Sequence, residues 1–255
     1  VTWTSVTVSA ALANVTSTGG DQVGVLGAGS HGGSVSWTNV TVSTALANVT
    51  STGGDQVGVL GAGTDNKVTW MNVTVSAVLA NVTSTAGSFV GVLGSGSYFG
   101  TTVSWTNVTV SAALANVTST ARGSYVGVLG SGSNSGVTWT NVTVSAALTN
   151  VTSTARDAVG VLGAGSSGGR VSWTNVTVSA ALANVMSTAR GSYGGVLGAG
   201  SNGAVTWTNV TVSAALANVT STAKDAVGVL GAGSYSVPAD NSATAVWAGV
   251  AVLLV

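Results

Sequence analysis

The sequence contains no cysteine, no glutamate and a single proline, and only 5% of its 255 residues are charged. Without cysteine, disulfides and thiolate metal sites are excluded, and the redox compartment cannot be read. Six Lys and Arg residues balance six Asp residues, which argues against a nucleic-acid-binding protein because such a protein needs a basic surface to neutralise phosphates. The hydrophobic content of 45% is enough for a sizeable core and argues against a disordered chain.

What the chain does have is an internal repeat. Seven units begin with V-[TS]-W, and one of them reads VTWTNVTVSAALANVTSTAKDAVGVLGAGS at residues 205–234. The units are 33 to 35 residues long, as the positions of their tryptophans show: Trp3, Trp37, Trp70, Trp105, Trp139, Trp173 and Trp207. They predict one repeat domain over residues 1–236, followed by a C-terminal tail at 237–255 with an apolar segment.

Within each unit, apolar and polar residues alternate with a period of two, which predicts strands. The alternation in V-T-W-T changes phase after the following Asn and resumes in V-T-V-S, as if the chain turned a corner there. Two further runs, V-T-S-T and V-G-V, follow a second Asn. The stretch S-A-A-L-A could begin a short helix, but it is too short to be stable alone. We therefore expect about three short strands per unit, joined at corners.

Three strands per unit at a fixed repeat length predict an all-β fold, a parallel β-helix (β-solenoid) of about seven coils with one 33–35-residue repeat per coil. Identical positions of successive coils would then form ladders spaced about 4.8 Å apart. The alternative is a seven-bladed propeller, although its blades usually need about 40 residues and four strands.

The repeat also carries a resemblance. The stretch GGVLGAGSNGAVTWTNVTVSAALANVTST, from Gly194 to Thr222, resembles the rhythm of right-handed parallel β-helix surface proteins, including polymorphic outer-membrane-protein repeats and pectin-lyase-like folds. The Gly-Gly pair of that rhythm occurs in full only at Gly194 and Gly195 of this unit. The resemblance implies a secreted or surface-displayed adhesive or structural protein and by itself implies no enzyme.

Five of the seven units carry two Asn residues in N-V-T triplets, and units one and six carry one each. These triplets allow two interpretations. The triplets are N-glycosylation motifs in a secreted chain, and Asn also tolerates the left-handed backbone of a sharp corner, where stacked amides can hydrogen-bond between coils. The candidate residues are Asn39, Asn72, Asn107, Asn141, Asn175 and Asn209 in the first series, and Asn14, Asn48, Asn81, Asn116, Asn150 and Asn218 in the second.

Two irregular units favour the corner interpretation. Asn184 is followed by Val185 and Met186, so the asparagine is kept while the glycosylation motif is lost, and Ser5 replaces the first Asn in unit one. Bulky glycans also cannot occupy every rung of a ladder whose spacing is about 4.8 Å. We therefore expect mainly a corner ladder, with glycosylation of some rungs if the chain is secreted in a eukaryotic host.

The V-T-S-T run places two threonines on one face of a strand, and stacking would make a double Thr ladder. Such Thr-x-Thr arrays resemble those of ice-binding β-solenoids, and ice binding is one alternative function. The other interpretation is that Thr suits an exposed strand. The ladder residues are Thr16, Thr18, Thr50, Thr52, Thr83, Thr85, Thr118, Thr120, Thr152, Thr154, Thr220 and Thr222.

The ionisable residues predict no catalytic, cofactor or metal site. Asp21, Asp55, Asp157 and Asp225 share one repeat position, and the first two could lie on adjacent coils, but two carboxylates are too few for Ca²⁺. His31 lies in a glycine-rich loop without a partner for general-base chemistry. No nucleophile elbow with a companion His and no phosphate-binding loop accompanies the many hydroxyls.

The tail ends in an apolar run from Ala245 to Val255, which is too short to span a bilayer. It resembles a GPI-attachment signal near Asn241 or Ser242, or a truncated membrane helix, or a final strand that covers the last coil. The sequence opens at Val1 directly in repeat phase, so we expect a fragment or a processed chain.

These observations predict a non-enzymatic extracellular or cell-surface protein with a structural or adhesive role. The expected partners are surface glycans or other copies of the chain, with membrane attachment through the tail, and neither nucleic acid nor a cofactor is expected. A polysaccharide-acting β-helix enzyme is a further alternative, which the scarcity of acids disfavours.

Overall fold

The computed structural model describes residues 1–18, 22–30, 33–51, 56–64, 67–84, 89–97, 102–119, 125–133, 136–153, 158–166, 170–187, 193–201, 205–221, 226–233, 245–248 and 251–254. All regular structure in these ranges is β-strand. The strands are β1 (Thr2–Thr4), β2 (Thr7–Ala13), β3 (Thr16–Ser17), β4 (Gln22–Ser30), β5 (Val35–Ser51), β6 (Gln56–Thr64), β7 (Val68–Ser84), β8 (Phe89–Ser97), β9 (Thr102–Ser119), β10 (Tyr125–Ser133), β11 (Gly136–Ser153), β12 (Ala158–Ser166), β13 (Arg170–Ser187), β14 (Tyr193–Ser201), β15 (Val205–Ser221), β16 (Ala226–Gly233), β17 (Ala245–Ala248) and β18 (Ala251–Leu254).

Each strand pairs in parallel with the equivalent strand of the next repeat. The long strands form one sheet with the order β1-β5-β7-β9-β11-β13-β15-β17, in which the short strands β1, β2 and β3 pair with β5 at one end and β17 and β18 pair with β15 at the other. The strands of eight or nine residues form a second sheet in the order β16-β14-β12-β10-β8-β6-β4. The register joins identical repeat positions, for example Trp105 with Trp139 and Leu114 with Leu148. The predicted parallel β-solenoid with one repeat per coil is therefore confirmed. The propeller alternative is wrong, because propeller blades are antiparallel.

The division of a coil into strands differs from the prediction. In coils two to seven, the predicted three short strands are replaced by one strand of 17 or 18 residues, such as β5 or β9, and one strand of eight or nine residues. In coil one, the long segment is divided into β1, β2 and β3. Each long strand turns at its two Asn residues, and its register with the neighbouring coils skips these positions and continues unchanged after them. The S-A-A-L-A stretch lies within this strand and forms no helix, because its alternating burial and paired neighbours favour the extended chain.

The core is a set of columns that run from coil to coil. Between the two Asn corners of coil four, Val108, Val110, Ala112 and Leu114 point inward and are buried, while the residues between them point outward. Trp105 precedes this segment and is 0% exposed. Because every coil repeats the pattern, each inward residue lies next to the equivalent residue of the neighbouring coil, and the columns form one continuous core.

The tryptophans form the most regular column. Successive indole rings from Trp3 to Trp207 are stacked with centroids 4.8 to 5.2 Å apart and planes within 5° of parallel. Their burial and stacking place the largest side chains of the chain at one edge of the core. Within the described residues, the buried Nε1 atoms of Trp37, Trp139 and Trp173 have no hydrogen-bond acceptor. Packing and stacking therefore hold these rings.

The second sheet contributes to the same core. Its strands follow the pattern V-G-V-L-G-A-G, and the second Val of the pattern is buried in the common core at Val59, Val92, Val128 and Val161. The glycines of one strand pair with the glycines of the next, as Gly127 does with Gly160.

The C-terminal tail adds to the last coil. In the described part of the tail, β17 and β18 both pair in parallel with β15, and Trp247 lies opposite Trp207 in that register. These two strands therefore extend the principal sheet by one rung.

Candidate functional site

The corners of the coil are built by Asn residues in the left-handed backbone conformation. All thirteen have φ between 53° and 57°, and Ser5, which occupies the equivalent corner of coil one, has φ of 56°. A left-handed residue turns the strand sharply, and Asn accepts this conformation more readily than other residues with a Cβ. The phase change of the alternation at each Asn is the sequence signal of this turn.

The Asn side chains form two ladders along the surface. In each, the Nδ2 atom of one coil donates to the Oδ1 atom of the preceding coil at 2.9 to 3.2 Å. The first ladder contains Asn39, Asn72, Asn107, Asn141, Asn175 and Asn209, and the second contains Asn14, Asn48, Asn81, Asn116, Asn150, Asn184 and Asn218. Every candidate Asn is therefore a member of a ladder.

Asn184 separates the structural role from the glycosylation motif. It lacks the motif because Met186 follows, yet it donates to Asn150 at 3.0 Å and accepts from Asn218 at 3.0 Å. The ladder thus needs the amide and not the following Thr. The Nδ2 atom, to which an N-linked sugar would be attached, is the ladder donor in both series.

The predicted Thr ladder is only partly within the described residues. Its first column follows the second Asn corner, pairs in register from coil to coil, and meets Met186 in coil six. The side chains of Thr16, Thr18, Thr50, Thr83 and Thr118 are exposed, and that of Thr152 is half-buried. Thr220 lies in β15. Of the second column, Thr52, Thr85, Thr120, Thr154 and Thr222 lie outside the described residues.

A wider array of small side chains lies between the two Asn ladders. We call it the Thr-Ser-Ala face. Its Thr column is Thr7, Thr41, Thr74, Thr109, Thr143, Thr177 and Thr211; its Ser column is Ser9, Ser43, Ser76, Ser111, Ser145, Ser179 and Ser213; its third column is Ala11, Ala45, Val78, Ala113, Ala147, Ala181 and Ala215. Members of each column pair in register across the coils. All but Ala113 and Ser213, which are half-buried, are exposed.

A shallow trough of about 520 Å³ follows the Ser and Ala columns across coils three to seven. Its walls include Ser111, Ser145 and Ala147, and its floor is the strand at Ala112 and Ala146, whose side chains point inward. The trough forms because the outward Ser and Ala side chains and the inward Ala side chain between them are all small. It is open to solvent along its length and contains no ionisable group.

The candidate ionisable residues lie elsewhere. Asp21, Asp55, Asp157, Asp225 and His31 are outside the described residues. Within the described ranges, no group of three or more His, Cys, Asp or Glu residues is placed to hold a metal ion. No helix in those ranges has the length and apolar character to cross a membrane.

Comparisons of the chain with protein-family models, curated proteins and solved structures found no match. The β-solenoid therefore rests on the strand pairing itself, and the resemblance to polymorphic outer-membrane-protein or pectin-lyase-like repeats stays a prediction.

The Thr-Ser-Ala face is not among the features predicted from the sequence. Its signal was present, because once the two Asn residues are taken as corners, the alternation in V-T-V-S-A-A-L-A assigns Thr, Ser and Ala to the outer side. The alternation is hard to see in S-A-A-L-A, because Ala occupies both inward and outward positions there.

Proposed function

We propose that this protein is a non-enzymatic structural or adhesive repeat protein that acts outside the cell or at the cell surface. The observation that carries the proposal is the register: seven coils present the same exposed side chains at the same positions, while the repeat tryptophans and most of the Val and Leu side chains that the structure describes lie in or against the core. Such a surface is a regular array of equivalent small contacts, which suits a scaffold better than a site that recognises one small molecule.

An array of this kind binds by repetition. Equivalent contacts recur at every rung, about 4.8 Å apart, so a repetitive partner such as a surface glycan chain, or another copy of the solenoid, touches many of them at once. Contacts that are individually weak then add to a high avidity. The zero net charge of the chain means that shape and hydrogen bonding, rather than long-range attraction, would select the partner.

A glycan array probed with the full chain tests the adhesive role. Binding to repetitive surface glycans supports adhesion, and self-association detected by light scattering without glycan binding supports a purely structural role. Turnover of soluble polysaccharide by the purified protein would contradict the proposal and favour the polysaccharide-acting enzyme.

Glycosylation is a separate part of the proposal. We propose that sugars, where present, occupy only some rungs, because the Nδ2 donor and the close rung spacing serve the ladders. Mass spectrometry of the native protein before and after enzymatic deglycosylation measures this occupancy. A mass consistent with sugar on all twelve motifs would contradict the ladder-dominated interpretation.

The proposal also includes the cellular location of the protein and its relationship to β-helix surface proteins. The resemblance of the repeats to β-helix surface proteins supports display on the cell surface, and attachment through the tail is the mode we propose. Fractionation of the native host, with and without phospholipase treatment, tests the location and a GPI-type attachment together. Recovery of the protein only from the soluble cytosol would contradict surface display.

A further inference from the structure

We propose that the Thr-Ser-Ala face is an ice-binding surface. The inference is independent of the structural or adhesive function and differs from the predicted Thr-x-Thr ladder, whose second column, apart from Thr18, lies outside the described residues. The face carries two hydroxyl columns and one methyl column across seven coils, and the partner that fits it is an ordered lattice of water.

The spacing of the face supports this partner. In a tetrahedral water network with O–H···O distances of about 2.75 Å, second-neighbour oxygens lie about 4.5 Å apart. Hydroxyls of one column on adjacent strands are spaced by about 4.8 Å, and the stacked tryptophans of coils three to six, which belong to the same sheet, are 4.8 to 4.9 Å apart. At about 0.3 Å of mismatch per rung, four neighbouring rungs stay within about 1 Å of the water lattice.

The side chains of the face are also suited to ordered water. Thr has a restricted χ1 angle and Ala has no rotamers, so little entropy is lost when water organises around them. Their backbone is fixed because each inner strand is paired on both sides. The face contains hydroxyl and methyl groups but no charged side chain, so no ion imposes its own hydration shell on the lattice.

The trough is the part of the face where we expect the first ordered waters to bind. It follows the Ser column across coils three to seven, with Ser hydroxyls on one wall and small apolar side chains beside them. A file of waters in the trough has a Ser hydroxyl at each rung as a hydrogen-bond partner and is held against methyl groups on the other side. This row of waters would continue the spacing of the coils into the first layer of ice.

A protein partner fits this face less well. Protein interfaces draw most of their binding energy from a few aromatic or Arg anchors, and the Thr-Ser-Ala face has neither. The outer surface before the first Asn corner is a weaker candidate for ice, because its Thr and Ser side chains are mostly half-buried and Met71, which is 40% exposed, interrupts one column.

Two substitutions in coil five test the assignment on the full chain. Thr143→Tyr places a bulky ring on the Thr-Ser-Ala face, and Thr138→Tyr makes the same change at an exposed position before the Asn141 corner. Tyr is favourable in exposed strands, so both variants are expected to fold, which far-UV circular dichroism and thermal unfolding will verify. Ice recrystallisation inhibition and thermal hysteresis are measured for the wild type and both variants.

We expect activity in the wild type, its loss in Thr143→Tyr and its retention in Thr138→Tyr. A third variant, Val78→Ala, removes the one bulky residue of the Ala column, which is 49% exposed, and should increase the activity. A wild type with neither activity would overturn ice binding. Equal activity of the two Tyr variants, or loss only in Thr138→Tyr, would overturn the assignment to this face. Neither outcome bears on glycan binding or self-association.

Discussion

Coil one and coil four have almost the same sequence but differ in burial. Coil four has a neighbour on each side, and its core residues Trp105, Val108 and Leu114 are at most 1% exposed. The equivalent residues of coil one, Trp3 and Leu12 among them, pack against one coil only and are half-buried. The same residues therefore contribute different amounts of stability, since in a solenoid most of the core is formed between neighbouring repeats and not within one repeat.

Removing a tryptophan should give the largest effect and should depend on the coil. Trp105→Ala leaves a cavity in a fully buried stack with a ring on each side, and large aromatic-to-Ala changes in a core cost about 3–5 kcal/mol. Trp3→Ala removes a half-buried ring with one stacked neighbour, so we expect roughly half that cost. Chemical denaturation followed by circular dichroism measures both, and equal costs would refute the nearest-neighbour explanation.

The Asn corners should give the next largest effect. Asn107→Ala forces Ala into the left-handed conformation, which costs about 1–2 kcal/mol, and removes two ladder bonds of roughly 0.5–1.5 kcal/mol each. Asn107→Gly keeps the turn and loses only the ladder, so it separates the two contributions. We expect a loss of about 2–5 kcal/mol for Ala and about 1–3 kcal/mol for Gly in the free energy of unfolding. If the two variants are equally destabilised, the backbone requirement is not the reason for Asn.

Thr44 is an exception inside the core of coil two. It occupies an inward position that is Ala in the other six coils, it is 7% exposed, and within the described residues its Oγ1 has no hydrogen-bond partner. Because a buried unpaired hydroxyl costs about 1–3 kcal/mol, Thr44→Ala should stabilise the protein by about 1 kcal/mol. Ala112→Thr in coil four is the reciprocal control and should destabilise it similarly. Denaturant midpoints measure both changes.

Much of the fold was predictable from residues that recur. The V-[TS]-W spacing predicts the length of a coil, and the change of phase at Asn107 predicts a corner. A left-handed residue at this point turns the strand and shifts the inward positions by one residue, so that Trp105 and Val108 both face the core. The segments join into one long strand in coils two to seven, and residue type could not predict this, because coil one has the same segments as separate strands. In coil one, Ser5 and Asn14 donate their backbone N–H groups to the carbonyl oxygens of Thr38 and Ala47 at 2.9 and 3.0 Å, yet β1, β2 and β3 remain distinct.

The candidate sites were predictable to a smaller degree. The ladder geometry of Asn107 and its equivalents follows from residue type and stacking, so the sequence indicated it. The trough beside Ser145 could not be inferred, because its depth depends on the inward Ala146 and the outward Ala147 being small at the same point of the strand. Such a surface is a property of three adjacent residues in five coils and leaves no motif of its own.

Ser5→Asn should give the smallest effect, and it bears directly on the difference between coil one and the others. Ser5 has the same φ as the corner asparagines and donates the same kind of backbone bond, so the corner forms without the amide. Asn accepts the left-handed conformation more readily than Ser, and it would add one exposed rung next to Asn39. We expect a gain of about 0.5–1 kcal/mol, the net value of one hydrogen bond. Amide hydrogen exchange of residues 1–18 measures it locally, and exchange that does not slow would mean that the corner of coil one is limited by its single neighbour and not by its residue.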